Sequence, residues 1–139
     1  MKKILAVVLS ATLLTMSTGA CSDPTPPAAP TPVTPTISET FTGTLTLAGN
    51  NSHPFAVSQV GGVRVSLTLV SPSAAVGIGV GTPSTSTGTC TVLSNLTVVG
   101  GPGVQMSGTA TVTGSFCLAM FDIGNLVESI AYTVTVLHS

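Results

Sequence analysis

The feature that most constrains the fold of this chain is a two-residue alternation of apolar residues with small or polar ones. At 41–47 the odd positions hold Phe41, Gly43, Leu45 and Leu47, and every even position between them is threonine. The alternation recurs at 55–57, 63–69, 76–80, 104–112, 116–120 and 130–136. A period of two is typical of β-strands that bury one face and expose the other to water. The sequence therefore predicts strands.

Turn-forming residues separate these segments. They are Gly49-Asn50-Asn51-Ser52, Gly61-Gly62, Ser71-Pro72, Thr82-Pro83, Gly100–Gly103 and Gly124-Asn125. Glycine, proline and asparagine favour tight turns. About seven to nine short strands with such turns predict an all-β fold, an antiparallel, jelly-roll-like β-sandwich. We expect it to occupy 37–139 as one domain with a modest core.

The first 20 residues have the pattern of a signal peptide. A basic pair opens the chain, an apolar stretch runs from Ile4 to Leu9, and small residues lead to Ala20. The apolar stretch is shorter than the roughly 20 residues of a membrane-spanning helix. Gly19, Ala20 and Cys21 resemble the bacterial lipobox, which implies that Cys21 is diacylated at sulfur and becomes the new N-terminus. The alternative is an ordinary cleaved signal with an incidental cysteine.

Residues 21–36 are interpreted as the lipidated cysteine and a tether. Six prolines alternate with small residues between Asp23 and Thr36, and they favour an extended polyproline II spacer of about 3.1 Å per residue. A recognition role for this PxxP-like stretch is the alternative. Ser22 resembles the sorting signal of outer-membrane lipoproteins. That resemblance implies a location in the bacterial cell envelope, on the periplasmic or the surface face of the outer membrane.

Charge is scarce after the leader. Only one base, Arg64, remains against four acids, which gives a formal charge of −3; the acids are Asp23, Glu39, Asp122 and Glu128. Nucleic-acid binding requires a Lys/Arg footprint, so we expect no nucleic-acid partner. Electrostatic attraction to anionic membranes is disfavoured for the same reason. The expected partners are the membrane, through the lipid anchor, and an envelope protein or a glycan.

Several segments of the domain resemble the bacterial pre-peptidase C-terminal domain, a β-sandwich found beside many secreted peptidases. They are Thr42–Leu45, Phe55–Val57, Gly61–Leu67, Gly114–Asp122 and Tyr132–Val136. The resemblance spans nearly all of 37–139 and implies a β-sandwich with an accessory role. Some members of that family bind calcium through clustered acidic residues. This sequence has no such cluster, so calcium binding is not expected.

Two cysteines, Cys90 and Cys117, remain once Cys21 is lipidated. In an oxidising compartment they most simply form one disulfide. Cys117 alternates with Phe116 and Leu118, so we expect it to point away from the main core. The bridge would then clamp the 82–91 region onto the strand at 114–121. A catalytic thiol is the alternative, but the local sequence offers no adjacent base.

The sequence offers no recognisable catalytic or metal-binding motif. We therefore expect no enzyme activity, no catalytic residue, no cofactor and no metal site. An enzyme would have to assemble its site from distant titratable residues; these are Glu39, His53, Asp122, Glu128 and His138. Gly77-x-Gly79-x-Gly81 lies in a predicted strand with no following helix. It is interpreted as relief of crowding on a sheet face rather than a phosphate loop.

Threonines line the predicted exposed faces at 42/44/46, 109/111/113 and 133/135. An ordered threonine array could bind ice or extended glycans, but threonine is also a favourable uncharged residue for the wet side of a strand. Three hypotheses for function remain, in this order: a non-catalytic structural or interaction module of the envelope, an accessory domain that binds carbohydrate or peptide, and a small enzyme. The sequence identifies no ligand-binding residues.

Overall fold

A computed structural model of the 139-residue chain describes residues 28, 31 and 35–139. The predicted signal peptide, Cys21 and most of the predicted tether lie outside the described residues. In the described part, no helix is long and apolar enough to cross a membrane.

Residues 37–139 fold into eight β-strands in two antiparallel sheets. The strands are β1 (Ile37–Leu45), β2 (Asn50–Val57), β3 (Gly61–Ser71), β4 (Val76–Pro83), β5 (Cys90–Gly100), β6 (Gln105–Ala110), β7 (Gly114–Phe121) and β8 (Ile130–His138). Sheet 1 has the order β1-β8-β3-β6, and sheet 2 has the order β2-β7-β4-β5. Two four-stranded sheets with these interleaved orders form a jelly roll, which confirms the predicted fold class.

The core lies between the two sheets, and the predicted alternation supplies most of it. In β8 the inward residues Ile130, Tyr132, Val134 and Val136 are each at most 2% exposed. Each fully buried aliphatic side chain contributes about 1.5–3 kcal/mol relative to an exposed one. The strand β5 differs from the others because it contributes no fully buried side chain to the core. Its only core contacts come from the partly buried Leu96 and Val98.

The predicted burial fails at three positions. A bulge in the pairing of β3 with β8 falls between Leu67 and Leu69 and reverses the inward phase. Leu69 is therefore 45% exposed, and Val70 is buried in its place. Leu47 and Val112 were expected to be buried as well. They lie beyond the ends of β1 and β6 and are exposed.

Several predicted turns also need correction. Gly61-Gly62 begins β3, and Thr82-Pro83 ends β4. Asn50, Asn51 and Ser52, expected in a turn, are the first residues of β2; the turn precedes them and is closed by the N–H of Gly49, which donates to the carbonyl of Thr46. The loop 122–129, which holds the predicted turn Gly124-Asn125, joins β7 of sheet 2 to β8 of sheet 1, so it crosses between the layers instead of closing a hairpin.

The sequence does not predict β5 because its pairing with β4 is irregular. Gly79 pairs with Thr97 but Gly81 pairs with Val92, so the intervening residues of β5 have no counterpart on β4. This irregularity breaks the two-residue alternation of inward and outward side chains. The apolar residues of β5 therefore follow no simple period.

The glycine row of β4 relieves crowding on the outer face of sheet 2, as expected. A Cβ on Gly77 would overlap the ring of Phe121, and one on Gly79 would overlap the side chain of Val92. At Gly81 the obstacle is backbone, because a Cβ there would overlap the carbonyl of Thr91. The absence of side chains therefore lets the start of β5 and the Phe121 ring lie against β4.

Cys90 and Cys117 form the predicted disulfide, with their Cα atoms 5.7 Å apart. Cys117 lies opposite Gly81 on the neighbouring strand, and Cys90 lies opposite Pro83. The bridge therefore joins the start of β5 to β7 across the end of β4. Cys117 is fully buried but lies outside the main core cluster, in agreement with its predicted outward phase.

Candidate functional site

Glu39 and His138, far apart in sequence, meet at one edge of sheet 1. The Glu39 Oε1 accepts from His138 Nε2 at 2.7 Å, and His138 Nδ1 lies 3.3 Å from the carbonyl oxygen of Ser139. The imidazole is 1% exposed and packs against the ring of Phe55, with centroids 5.4 Å apart. Both ring nitrogens are occupied by protein groups, so this pair has the geometry of a structural contact.

His53 belongs to a second cluster, between β1, β2 and β8. Its Nε2 lies 2.7 Å from the hydroxyl of Tyr132, to which Asn51 also donates at 2.9 Å. The ring of Phe41 stacks on the imidazole, with centroids 4.9 Å apart. The Tyr132 ring occupies the space above Gly43, where a Cβ would lie 2.7 Å from Cζ. We call these residues the His53 cluster; it links the edge strands of the two sheets.

Burial sets the protonation of this cluster. Desolvation lowers the pKa of His53 below its usual 6.5. Desolvation also raises the pKa of Tyr132 above 10.0, opposed by the hydrogen bond from Asn51. Both side chains are therefore neutral at neutral pH.

We expect His53 to make the fold less stable in mild acid. In the unfolded chain His53 binds a proton with the usual pKa of 6.5, whereas in the folded chain its pKa is lower. The His53 contribution is therefore fully present above pH 6.5 and is lost as the pH falls through its lowered folded value. Urea unfolding at a series of pH values measures it. The control is His53→Gln, whose stability should fall less over the same interval; equal losses would contradict the assignment.

The other two acids that the structure describes, Asp122 and Glu128, do not form a pair. The Asp122 carboxylate accepts from backbone N–H groups of the β1–β2 turn and its own loop: Ala48, Gly124, Asn125 and Leu126. These hydrogen bonds, that of Ala48 first, lower the pKa of Asp122, although desolvation opposes them. Glu128 is exposed in the same loop and has no hydrogen bond to Asp122 among the described residues. Asp122 thus fastens two turns together.

The described residues contain no group of three or more His, Cys, Asp or Glu side chains that could hold a metal ion. The structure brings together Glu39 with His138, but it places His53, Asp122 and Glu128 in separate environments. The five titratable residues are therefore not assembled into one site.

The predicted threonine faces are only partly joined. Thr42 pairs with Thr133, and Thr40 pairs with Thr135 with their Oγ1 atoms 3.3 Å apart. Thr109 lies on β6, at the opposite edge of sheet 1 from β1. Thr111 and Thr113 lie beyond the end of β6. The hydroxyls therefore form one short patch on β1 and β8 rather than a continuous array.

An apolar cavity of about 250 Å³ lies between the sheets, beside the edge strands β5 and β6. We call it the β5–β6 cavity. Its lining is Phe55, Val63, Val65, Val80, Thr82, Leu93, Leu96, Met106, Gly108–Val112 and Phe116. The sequence does not predict it, because its walls come from six strands and β5 has no simple period. No pattern within a single segment could have indicated it.

No protein-family model matches the chain, and no curated protein matches it.

Proposed function

We propose that this protein is an envelope lipoprotein, anchored through Cys21, that carries one non-catalytic interaction module on a proline-rich tether. The observation that carries the proposal is the Cys90–Cys117 disulfide. Disulfides form and persist in oxidising compartments, such as the bacterial periplasm and the cell surface. A disulfide in the folded domain therefore supports export of the chain.

The anchor is supported by the order of segments in the sequence. A basic start, an apolar stretch and small residues precede Cys21, and the proline-rich tether follows it directly. Each buried methylene of an acyl chain contributes about 0.8 kcal/mol to membrane binding. Stable anchoring takes two acyl chains, or one chain together with a second membrane-binding element. Diacylation of Cys21 would meet that requirement.

The non-catalytic role is supported by how the titratable side chains are used. The His138 imidazole is buried against Glu39 and Phe55. The His53 imidazole is stacked and bonded within its cluster. A general base needs hydrogen-bond access to the proton it abstracts. The buried His138 lacks that access, and the Nε2 of His53 is committed to the Tyr132 hydroxyl.

The anchor is tested by fractionation and labelling with a fatty-acid analogue. We expect the chain in the membrane fraction, released by detergent but not by high salt, and labelled. Cys21→Ser should lose the label and leave the membrane, whereas the neighbouring variant Ser22→Ala should keep the label. A wild-type chain that is secreted without a label would overturn the anchor.

An accessory role in binding glycans or peptides is the second candidate. Its basis is the resemblance to the pre-peptidase C-terminal domain, together with the jelly-roll strand order, an architecture that also serves lectin domains. The short hydroxyl patch of Thr40, Thr42, Thr133 and Thr135 is the surface that would contact a glycan. The double variant Thr42→Val/Thr133→Val tests this role. We expect envelope glycans to retain it less than they retain the parent chain.

A further inference from the structure

The β5–β6 cavity is built from inward-facing residues of both sheets. Sheet 1 contributes Val63, Val65 and Met106, and sheet 2 contributes Phe55, Val80 and Leu96. Several of these side chains belong to the main core or pack directly against it. The cavity is therefore a pocket that enters the sandwich, and its walls are held by the same packing that holds the fold.

The two open sides of the sandwich differ. At the β1–β2 side the His53 cluster links the sheets with an aromatic stack and hydrogen bonds. At the β5–β6 side, among the described residues, no aromatic stack and no side-chain hydrogen bond joins the two edge strands. Leu96 reaches toward Gly108 across this opening, where a Cβ would lie 3.2 Å from its Cδ2 atom. The opening thus leads to an apolar interior whose wall includes the stacked rings of Phe55 and Phe116.

The lining determines which ligands fit. Among the described residues, no ionisable side chain lines the cavity, and the lining hydroxyls belong to the exposed Thr82, Thr109 and Thr111. A charged or many-hydroxyl ligand would lose its hydration without gaining partners, which costs several kcal/mol. A hydrocarbon group gives up no hydrogen bonds to water when it enters the cavity. One polar atom of the ligand could stay at the rim beside these hydroxyls.

The volume sets the size of the ligand. An apolar cavity of about 150 Å³ stays dry and binds benzene, whereas pockets for drug-sized molecules begin near 300 Å³. The β5–β6 cavity, at about 250 Å³, falls between them. A protein partner would need roughly 800 Å² of contact on each side, which a pocket of this size does not offer.

We propose that the β5–β6 cavity is a binding site for a compact, neutral, apolar molecule of about ten non-hydrogen atoms, with any polar atom at the rim. This goes beyond the proposed function and does not depend on the lipid anchor, because every lining residue lies within 37–139. It gives the interaction module a ligand class that differs from glycans and charged peptides.

Methionine methyl groups report on the site directly. Met106 lines the cavity, whereas Met120 is buried in the core and does not line it. The full chain carrying Cys21→Ser is labelled with methyl-¹³C methionine and titrated with benzene and with indole, without detergent. We expect a saturable shift of the Met106 methyl signal, identified with Met106→Leu, while Met120 stays in place. No shift of Met106, or an equal unsaturable drift of both signals, overturns the proposal.

A filling variant tests the location. Ala110→Leu adds three carbon atoms to the cavity wall and should weaken binding at least tenfold. The control is Ala131→Leu, the same change at an exposed position of β8 in the same sheet, which should bind like the parent chain. If Ala110→Leu does not fold, Val63→Phe fills the same space and should show the same loss. Unchanged affinity in a folded filling variant overturns the proposal.

Discussion

Replacing Cys90 and Cys117 together with alanine is expected to lower the free energy of unfolding by about 3–4 kcal/mol. The bridge closes a loop with a sequence separation of 27, and a loop of that length restricts the unfolded chain by roughly this amount. Small domains are stable by only about 5–15 kcal/mol. The loss is therefore a large share of the total and should lower Tm by about 15–30 °C.

Urea unfolding of the oxidised parent, the reduced parent and the double variant measures this contribution. Reduction should bring the parent close to the double variant, since both then lack the cross-link. Reductant should leave the double variant unchanged, which controls for other effects of the reagent. A difference of less than about 1 kcal/mol between oxidised and reduced parent would show that the bridge does not stabilise the fold as the loop relation requires.

Gly81→Ala is expected to cost about 3 kcal/mol, although alanine usually suits a strand better than glycine. The new Cβ would overlap the Thr91 carbonyl and lie 2.8 Å from the Cα of Val92. Both obstacles are backbone, so no side-chain rotation relieves them. The start of β5 would have to move away from β4, and the adjacent Cys90–Cys117 bridge opposes that movement.

The matched control is Gly101→Ala. Its Cβ would meet only the Ala74 carbonyl, at 3.4 Å, which is an ordinary contact. We expect a change within about 1 kcal/mol, with a small gain possible because alanine restricts the unfolded chain. Thermal unfolding of both variants separates the two cases. Equal stabilities would contradict the close approach of β5 to Gly81.

The fold class could be predicted from the sequence because most strands bury one face. In β8 the alternation continues from Ile130 to Val136 and every inward residue is buried. The prediction fails where one strand depends on its neighbour. The bulge beside Leu69 and the irregular pairing of β5 both arise from contacts with another strand, and no period within a single segment records such contacts.

The same distinction applies to the candidate sites. The two cysteines of 37–139, together with the expectation that the chain is exported, sufficed to predict the Cys90–Cys117 bridge. The His53 cluster was not predicted, because Phe41, His53 and Tyr132 come from three strands in two sheets. The β5–β6 cavity was not predicted for a similar reason. It depends on where two edge strands lie in the finished jelly roll.

The intact mass of the protein from a membrane fraction, measured with and without reductant, tests the lipid anchor and the disulfide together. We expect a chain that begins at Cys21, carries acyl chains, and gains the mass of two hydrogen atoms when the Cys90–Cys117 bridge is reduced. A chain that begins elsewhere and carries no lipid would contradict the anchored module, and a mass unchanged by reductant would contradict the disulfide that supports its export.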